Sequence, residues 1–119
     1  MRVLVTGSRK HGVESLSKRL LGELHRLDAP KGKDLTIIHG GAAGADTVAS
    51  VIAARWGANE WSFPAEWAVY GKFAGPMRNA EMMQMKPDVV LAFPLPGSKG
   101  TWDCVTQAHK HSIPVVVVE

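Results

Sequence analysis

Four short apolar runs constrain this chain more than any other feature: Val3-Leu4-Val5, Leu35-Thr36-Ile37-Ile38, Val89-Val90-Leu91-Ala92-Phe93 and Val115-Val116-Val117-Val118. They are continuous rather than alternating, the pattern of strands buried on both faces of a parallel sheet. A weaker fifth strand is expected at Asn59 to Phe63. Between them lie helical periodicities. Val13, Leu16, Leu20, Leu24 and Leu27 recur at spacings of three and four, as do Ala45, Val48, Ala49, Ile52 and Trp56. Two further helices are expected at about Pro76–Met85 and Thr101–Lys110, with Pro76 suited to a first helical position and Thr101 to an N-terminus. The order β-α-β-α-β-α-β-α-β predicts an α/β fold: a Rossmann-like, doubly wound, open parallel five-stranded sheet forming one domain over residues 1–119. The segment from Pro64 to Gly75 reads as irregular and long enough to cover a site.

At 119 residues and 45% hydrophobic, the chain has material for one core, which excludes disorder, a collagen and a disulfide-built miniprotein. The single cysteine, Cys104, cannot form an intrachain disulfide. With neither a leader-like start nor an 18-residue apolar run, the expectation is a cytoplasmic protein without a membrane partner. The net charge of +3 is too small for a histone-like binder and suits a protein that handles anions. Because the last strand leaves a small sheet with few covering elements, a homodimer is also expected.

In open α/β sheets ligands bind beyond the carboxyl ends of the strands, where loops enter helix N-termini, so the chemistry is sought in four loops. The first, Thr6-Gly7-Ser8-Arg9-Lys10-His11-Gly12, has the G-x-x-x-x-G spacing of a phosphate loop. Val13-Glu14 replaces its Lys-Ser/Thr, however, which disfavours a Walker NTPase, and G-x-G-x-x-G is absent. The second, His39-Gly40-Gly41-Ala42-Ala43-Gly44-Ala45-Asp46, lets backbone approach an anion closely at a helix start. Asp46 is either a helix-start residue or an acceptor for ribose or base. The third, Gly75-Pro76-Met77-Arg78-Asn79, places Arg78 in a first helical turn, where a cation is unfavourable unless an anion sits beside it; the bland alternative is an ion pair with Glu81. The fourth, Pro94-Leu95-Pro96-Gly97-Ser98-Lys99-Gly100-Thr101-Trp102-Asp103, is glycine-rich and again opens a helix.

These loops together resemble the SLOG superfamily of Rossmann-like nucleotide-binding proteins, most closely its YspA/YpsA-related branch. The resemblance is carried by Val3–Arg9, His39–Thr47, Phe63–Trp67, Gly75–Asn79 and Ala92–Pro94 with Gly97, Gly100, Thr101 and Asp103. It implies binding of a nucleotide or nucleotide derivative through Gly7, Ser8, Arg9, Gly40, Gly41, Gly44, Asp46, Arg78, Asn79, Gly97, Ser98, Gly100 and Thr101. Two relatives imply two activities. The LOG-type phosphoribohydrolases cleave the N-glycosidic bond of nucleoside monophosphates and carry a P-G-G-x-G-T-x-x-E segment, which Pro96–Thr101 resembles with Ser98 for the second glycine; Arg78 resembles their functional arginine. Their glutamate position falls on Cys104, so Asp103, Asp46 or Glu81 would have to supply the carboxylate that an oxocarbenium-like state needs. The chain also resembles the DNA-processing protein A family at Gly7-Ser8-Arg9 and Gly41–Asp46, which implies single-stranded nucleic-acid binding as the alternative.

Trp67, Tyr70 and Phe73 lie in the expected covering segment, Trp67 being the candidate for base stacking and loop anchoring the plain alternative. His109 and His111 face apart on a helix, and no His/Cys/acid set has metal-ligand spacing, so no metal and no cofactor are expected. Cys104 reads as a buried small residue rather than a nucleophile.

Overall fold

A computed structural model describes all residues except Arg9, Ala42 and Ala43. Five strands, β1 (Arg2–Gly7), β2 (Thr36–His39), β3 (Asn59–Ser62), β4 (Val89–Phe93) and β5 (Val115–Val117), form one sheet in the order β3-β2-β1-β4-β5. Every pairing is parallel. The central strands β1, β2 and β4 are the continuous apolar runs, and their side chains are buried on both faces as such runs require.

Alternation along the strands divides the core in two. Val3, Val5, Ile37, Leu91 and Phe93 face Leu16, Leu20 and Leu24 of α1 (Val13–Arg26) and Val48, Ala49 and Ile52 of α2 (Ala45–Trp56). Leu4, Ile38 and Val90 face the other way, against Met82 and Met83 of α4 (Ala74–Gln84) and Cys104 and Ala108 of α5 (Lys99–Lys110). Helices on both faces make the sheet doubly wound. After β2 the chain turns outward to β3, whereas β4 lies on the other side of β1, so the strand order reverses between β1 and β4. This is the switch point at which adjacent loops splay and leave a crevice.

Three local expectations are corrected. The segment from Pro64 to Gly75 is not irregular throughout: it holds α3 (Trp67–Tyr70), a 3₁₀ turn at Gly71–Phe73 and the start of α4. Because that turn feeds directly into α4, the helix begins at Ala74, so Pro76 is its third residue and Arg78 its fifth. Arg78 is therefore beyond the first turn, and the argument that it opposes the helix dipole does not hold. α5, conversely, begins two residues before Thr101, at Lys99, with Ser98 as its N-cap residue.

Candidate functional site

A cavity of about 620 Å³ opens at the switch point. It is lined from β1 and its loop by Thr6, Gly7, Ser8 and Lys10, and from β2 and α2 by Gly40 and Asp46. Trp67 and Lys72 contribute from the covering segment, Arg78 and Asn79 from α4, and Gly97 to Thr101 with Asp103 from the fourth loop and α5. The structure thus brings together most of the residues expected from sequence. Gly41, Gly44 and Glu81 are not among the described lining residues, and Arg9 lies outside the described residues. Glu81 lines a second cavity of about 250 Å³ with Glu66, Tyr70 and Arg78.

The floor is held by glycine. A Cβ at Gly7 would lie 2.6 Å from the Ala45 Cβ and 2.9 Å from the Phe93 carbonyl oxygen, so β1 can pass this close to α2 and β4 only without a side chain. Ser8 then donates its N–H to the Phe93 carbonyl at 3.2 Å.

Arg78 ties two elements together. Its Nη1 donates to the Gly40 carbonyl oxygen and its Nε to the Asn79 Oδ1, both at 2.9 Å. The alternative surface ion pair with Glu81 is not formed; among the described residues Arg26 pairs with Glu23 at 3.7 Å, and His39 meets Glu60 at 3.1 Å as a hydrogen bond. Asn79 is almost fully buried, and its amide nitrogen donates to the Asp103 Oδ2 at 2.9 Å and to the Gly100 carbonyl at 3.2 Å. Gln107 donates to the same Asp103 oxygen at 2.8 Å. A chain of hydrogen bonds therefore runs from the Gly40 carbonyl through the side chains of Arg78, Asn79, Asp103 and Gln107, fixing one carboxylate oxygen of Asp103 at the cavity wall. Cys104 lies next to it, buried, hydrogen-bonded with the Thr6 hydroxyl. Burial pushes its thiol from 9.0 up to about 12, against the opposing pull of Thr6 and Arg78. At that value it is a packed small side chain and not a thiolate.

The N-termini of α2 and α5 meet the cavity differently. At α2 the Ala45 N–H donates to the Ser8 carbonyl at 3.4 Å, the Gly41 N–H is taken by His39, and the Asp46 carboxylate occupies the first turn. At α5, among the described residues, the N–H groups of Gly100 and Thr101 have no acceptor, and the hydroxyl of Thr101, a residue 4% exposed, makes no hydrogen bond. The Ser98 hydroxyl is engaged, accepting the Leu95 N–H at 2.9 Å and thereby shaping the loop. Lys10, Lys72 and Lys99 line the cavity with no carboxylate in ion-pair range among the described residues. Trp67 rests against the flat surface of Gly75, where a Cβ would come within 3.1 Å of the ring.

Sequence reasoning missed His39, Glu60, Ser50 and Gln107. Glu60 precedes by two residues Ser62, the register partner of His39, so it lies on the same face and reaches the His39 Nε2 at 3.1 Å. A charged residue in the middle of an edge strand was the available signal. Burial acts to raise the Glu60 carboxyl, but hydrogen bonds from Ser50 and His39 together outweigh it and hold the group below its ordinary value.

A sequence model of the YspA, cpYpsA-related SLOG family (YAcAr) matches residues 1–70, from β1 through α3. Over 123 aligned positions the chain is 43% identical to the Gene 61 protein of Mycobacterium phage D29, an alignment covering 97% of this chain and 94% of that protein. Family match and architecture agree: this chain belongs to the YspA, cpYpsA-related SLOG family.

Proposed function

We propose that the protein binds a nucleotide or nucleotide derivative in the switch-point cavity, with a phosphate at the N-terminus of α5. The observation that carries this reading is the pair of free N–H groups at Gly100 and Thr101 beside the unpartnered Thr101 hydroxyl. Three donors at the positive end of a 12-residue helix suit an anion. Lys10, Lys72 and Lys99 add positive charge around it, and the cavity volume suits a ligand of nucleotide size. α2 is the poorer phosphate site because its first turn carries Asp46. That carboxylate and Asp103 are acceptors suited to sugar hydroxyls or base amino groups, and Trp67 offers a face for stacking. Arg78, Asn79, Gly40 and the glycine-rich loops complete the binding set.

Whether the bound nucleotide is sensed or cleaved turns on Asp103. Its Oδ2 is pinned by two amide donors, which leaves Oδ1 for a sugar, and a carboxylate against the sugar is what cleavage of an N-glycosidic bond would use. A homodimer would cover Val69, Tyr70 and Phe73, which are exposed on the covering segment. A thermal-shift screen of nucleotides, followed by calorimetry on the hits and chromatography for released base, tests the reading. Stabilisation by phosphorylated but not dephosphorylated nucleosides is the expected result.

A further inference from the structure

The peptide between Gly40 and Gly41 is held at both ends. Its carbonyl accepts from Arg78 Nη1 at 2.9 Å, and its N–H donates to His39 Nδ1 at 3.0 Å. Gly41 has a φ of 72° and Gly40 also lacks a side chain, so this peptide has little steric resistance to rotation, and its orientation depends on these two bonds. His39 can accept at Nδ1 only if its proton is on Nε2. There it meets Glu60 Oε1 at 3.1 Å, and Glu60 is itself steadied by the Ser50 hydroxyl at 2.9 and 3.0 Å. His39 is 3% exposed, so water does not compete for either nitrogen.

We infer that His39 is a positioning residue for the nucleotide site: in the Nε2–H tautomer set by Glu60, it turns the Gly40 carbonyl toward α4 and so fixes the Arg78 guanidinium at the cavity wall. The proposal rests on the nucleotide reading for its effect on affinity, but the alignment of Arg78 is a property of the free protein. Without the Nδ1 acceptor the Gly41 N–H is left unpaired, the peptide turns to find another partner, and Arg78 loses its carbonyl anchor.

Asparagine and glutamine separate this role from packing, because Asn carries an acceptor where Nδ1 stands and Gln reaches instead toward the Nε2 position. The test uses the full chain as His39→Asn, His39→Gln and His39→Leu, with a nucleoside monophosphate identified in the screen as probe. Long-range ¹⁵N NMR of the free wild type should show the Nε2-protonated tautomer. The Arg78 Nε resonance should keep its wild-type position in the Asn variant and move in the Gln and Leu variants. Affinity should follow: near wild type for Asn, about fivefold to tenfold weaker for Gln and Leu, the size of one lost hydrogen bond. An Nδ1-protonated His39, or an Arg78 resonance that does not distinguish Asn from Gln, overturns the proposal. If the wild type binds no nucleotide, the functional reading fails, while the NMR comparison still decides whether His39 positions Arg78.

Discussion

The Arg78 guanidinium lies against Gly40, and its Nη1 donates to that residue's carbonyl at 2.9 Å while Nε donates to Asn79. Two of its nitrogens are thus spent within the protein, and Nη2 makes neither bond. Arg78→Ala should weaken a nucleoside monophosphate roughly ten- to hundredfold, the cost of a charge-assisted contact at about 1.5–3 kcal/mol. It should weaken the dephosphorylated nucleoside much less. Arg78→Lys should recover only part of the loss, since one ammonium cannot span Gly40, Asn79 and a phosphate. Titration calorimetry with the matched pair of ligands checks this, and equal loss for both ligands would remove Arg78 from the phosphate.

Gly40→Ala perturbs the same contact from the other side. The added methyl would overlap the guanidinium and come within 3.1 Å of an Asp46 carboxylate oxygen. The far end of a flexible side chain can move away, so the variant should fold with nearly wild-type melting temperature and bind nucleotide at least several-fold more weakly. Gly44 is a poorer probe, because its φ of 73° strains any side chain irrespective of ligand.

Gly7→Ala should behave oppositely. Its Cβ would press on Ala45 and on the Phe93 backbone, neither of which can swing aside. Destabilisation of about 1–3 kcal/mol, the usual cost of overpacking, should appear as a loss of several degrees in melting temperature. An unchanged melt would mean that β1, α2 and β4 are packed less tightly than described.

Much of this site is legible in the sequence, and the exceptions have physical causes. The parallel sheet follows from β-branched runs that bury both faces, and the four loops follow from strand polarity, whereas the strand order does not show in the runs themselves. The start of α4 was misread because Pro76 is favoured at a first helical position, whereas here the 3₁₀ turn at Gly71–Phe73 supplies the preceding turn and Pro76 falls third. That two-residue shift moved Arg78 out of the first turn. The link from His39 to Glu60 joins two strands and depends on register, which single-chain periodicity does not carry.

Acid and alkali should each weaken the fold through an identified group. Glu60 has a lowered pKa in the folded state, so its contribution is complete above the ordinary glutamate value of 4.5 and is lost as pH falls below it. Cys104 is raised, so its contribution is complete below 9.0 and is lost as pH rises from there toward about 12. Glu60→Gln should flatten part of the acid limb of a melting-temperature profile and Cys104→Ala part of the alkaline limb. Native Cys104 should also resist a thiol reagent at neutral pH; rapid labelling of the folded protein would contradict its burial.

Asp103→Asn separates catalysis from sensing. If the protein cleaves the N-glycosidic bond, base release should stop while binding persists, and Glu81→Gln, at a residue that lines the second cavity and not the first, should leave both intact. A wild type that releases no base from any nucleoside monophosphate on long incubation is a binder.

The central claim is that a phosphate sits on the N-terminus of α5, and a crystal of the protein with a bound nucleoside monophosphate tests it most directly. The account predicts phosphate oxygens about 2.7–3.2 Å from the backbone nitrogens of Gly100 and Thr101, with the sugar toward Asp46 and Asp103. A nucleotide bound with its phosphate elsewhere, and those two N–H groups facing only water, would contradict it.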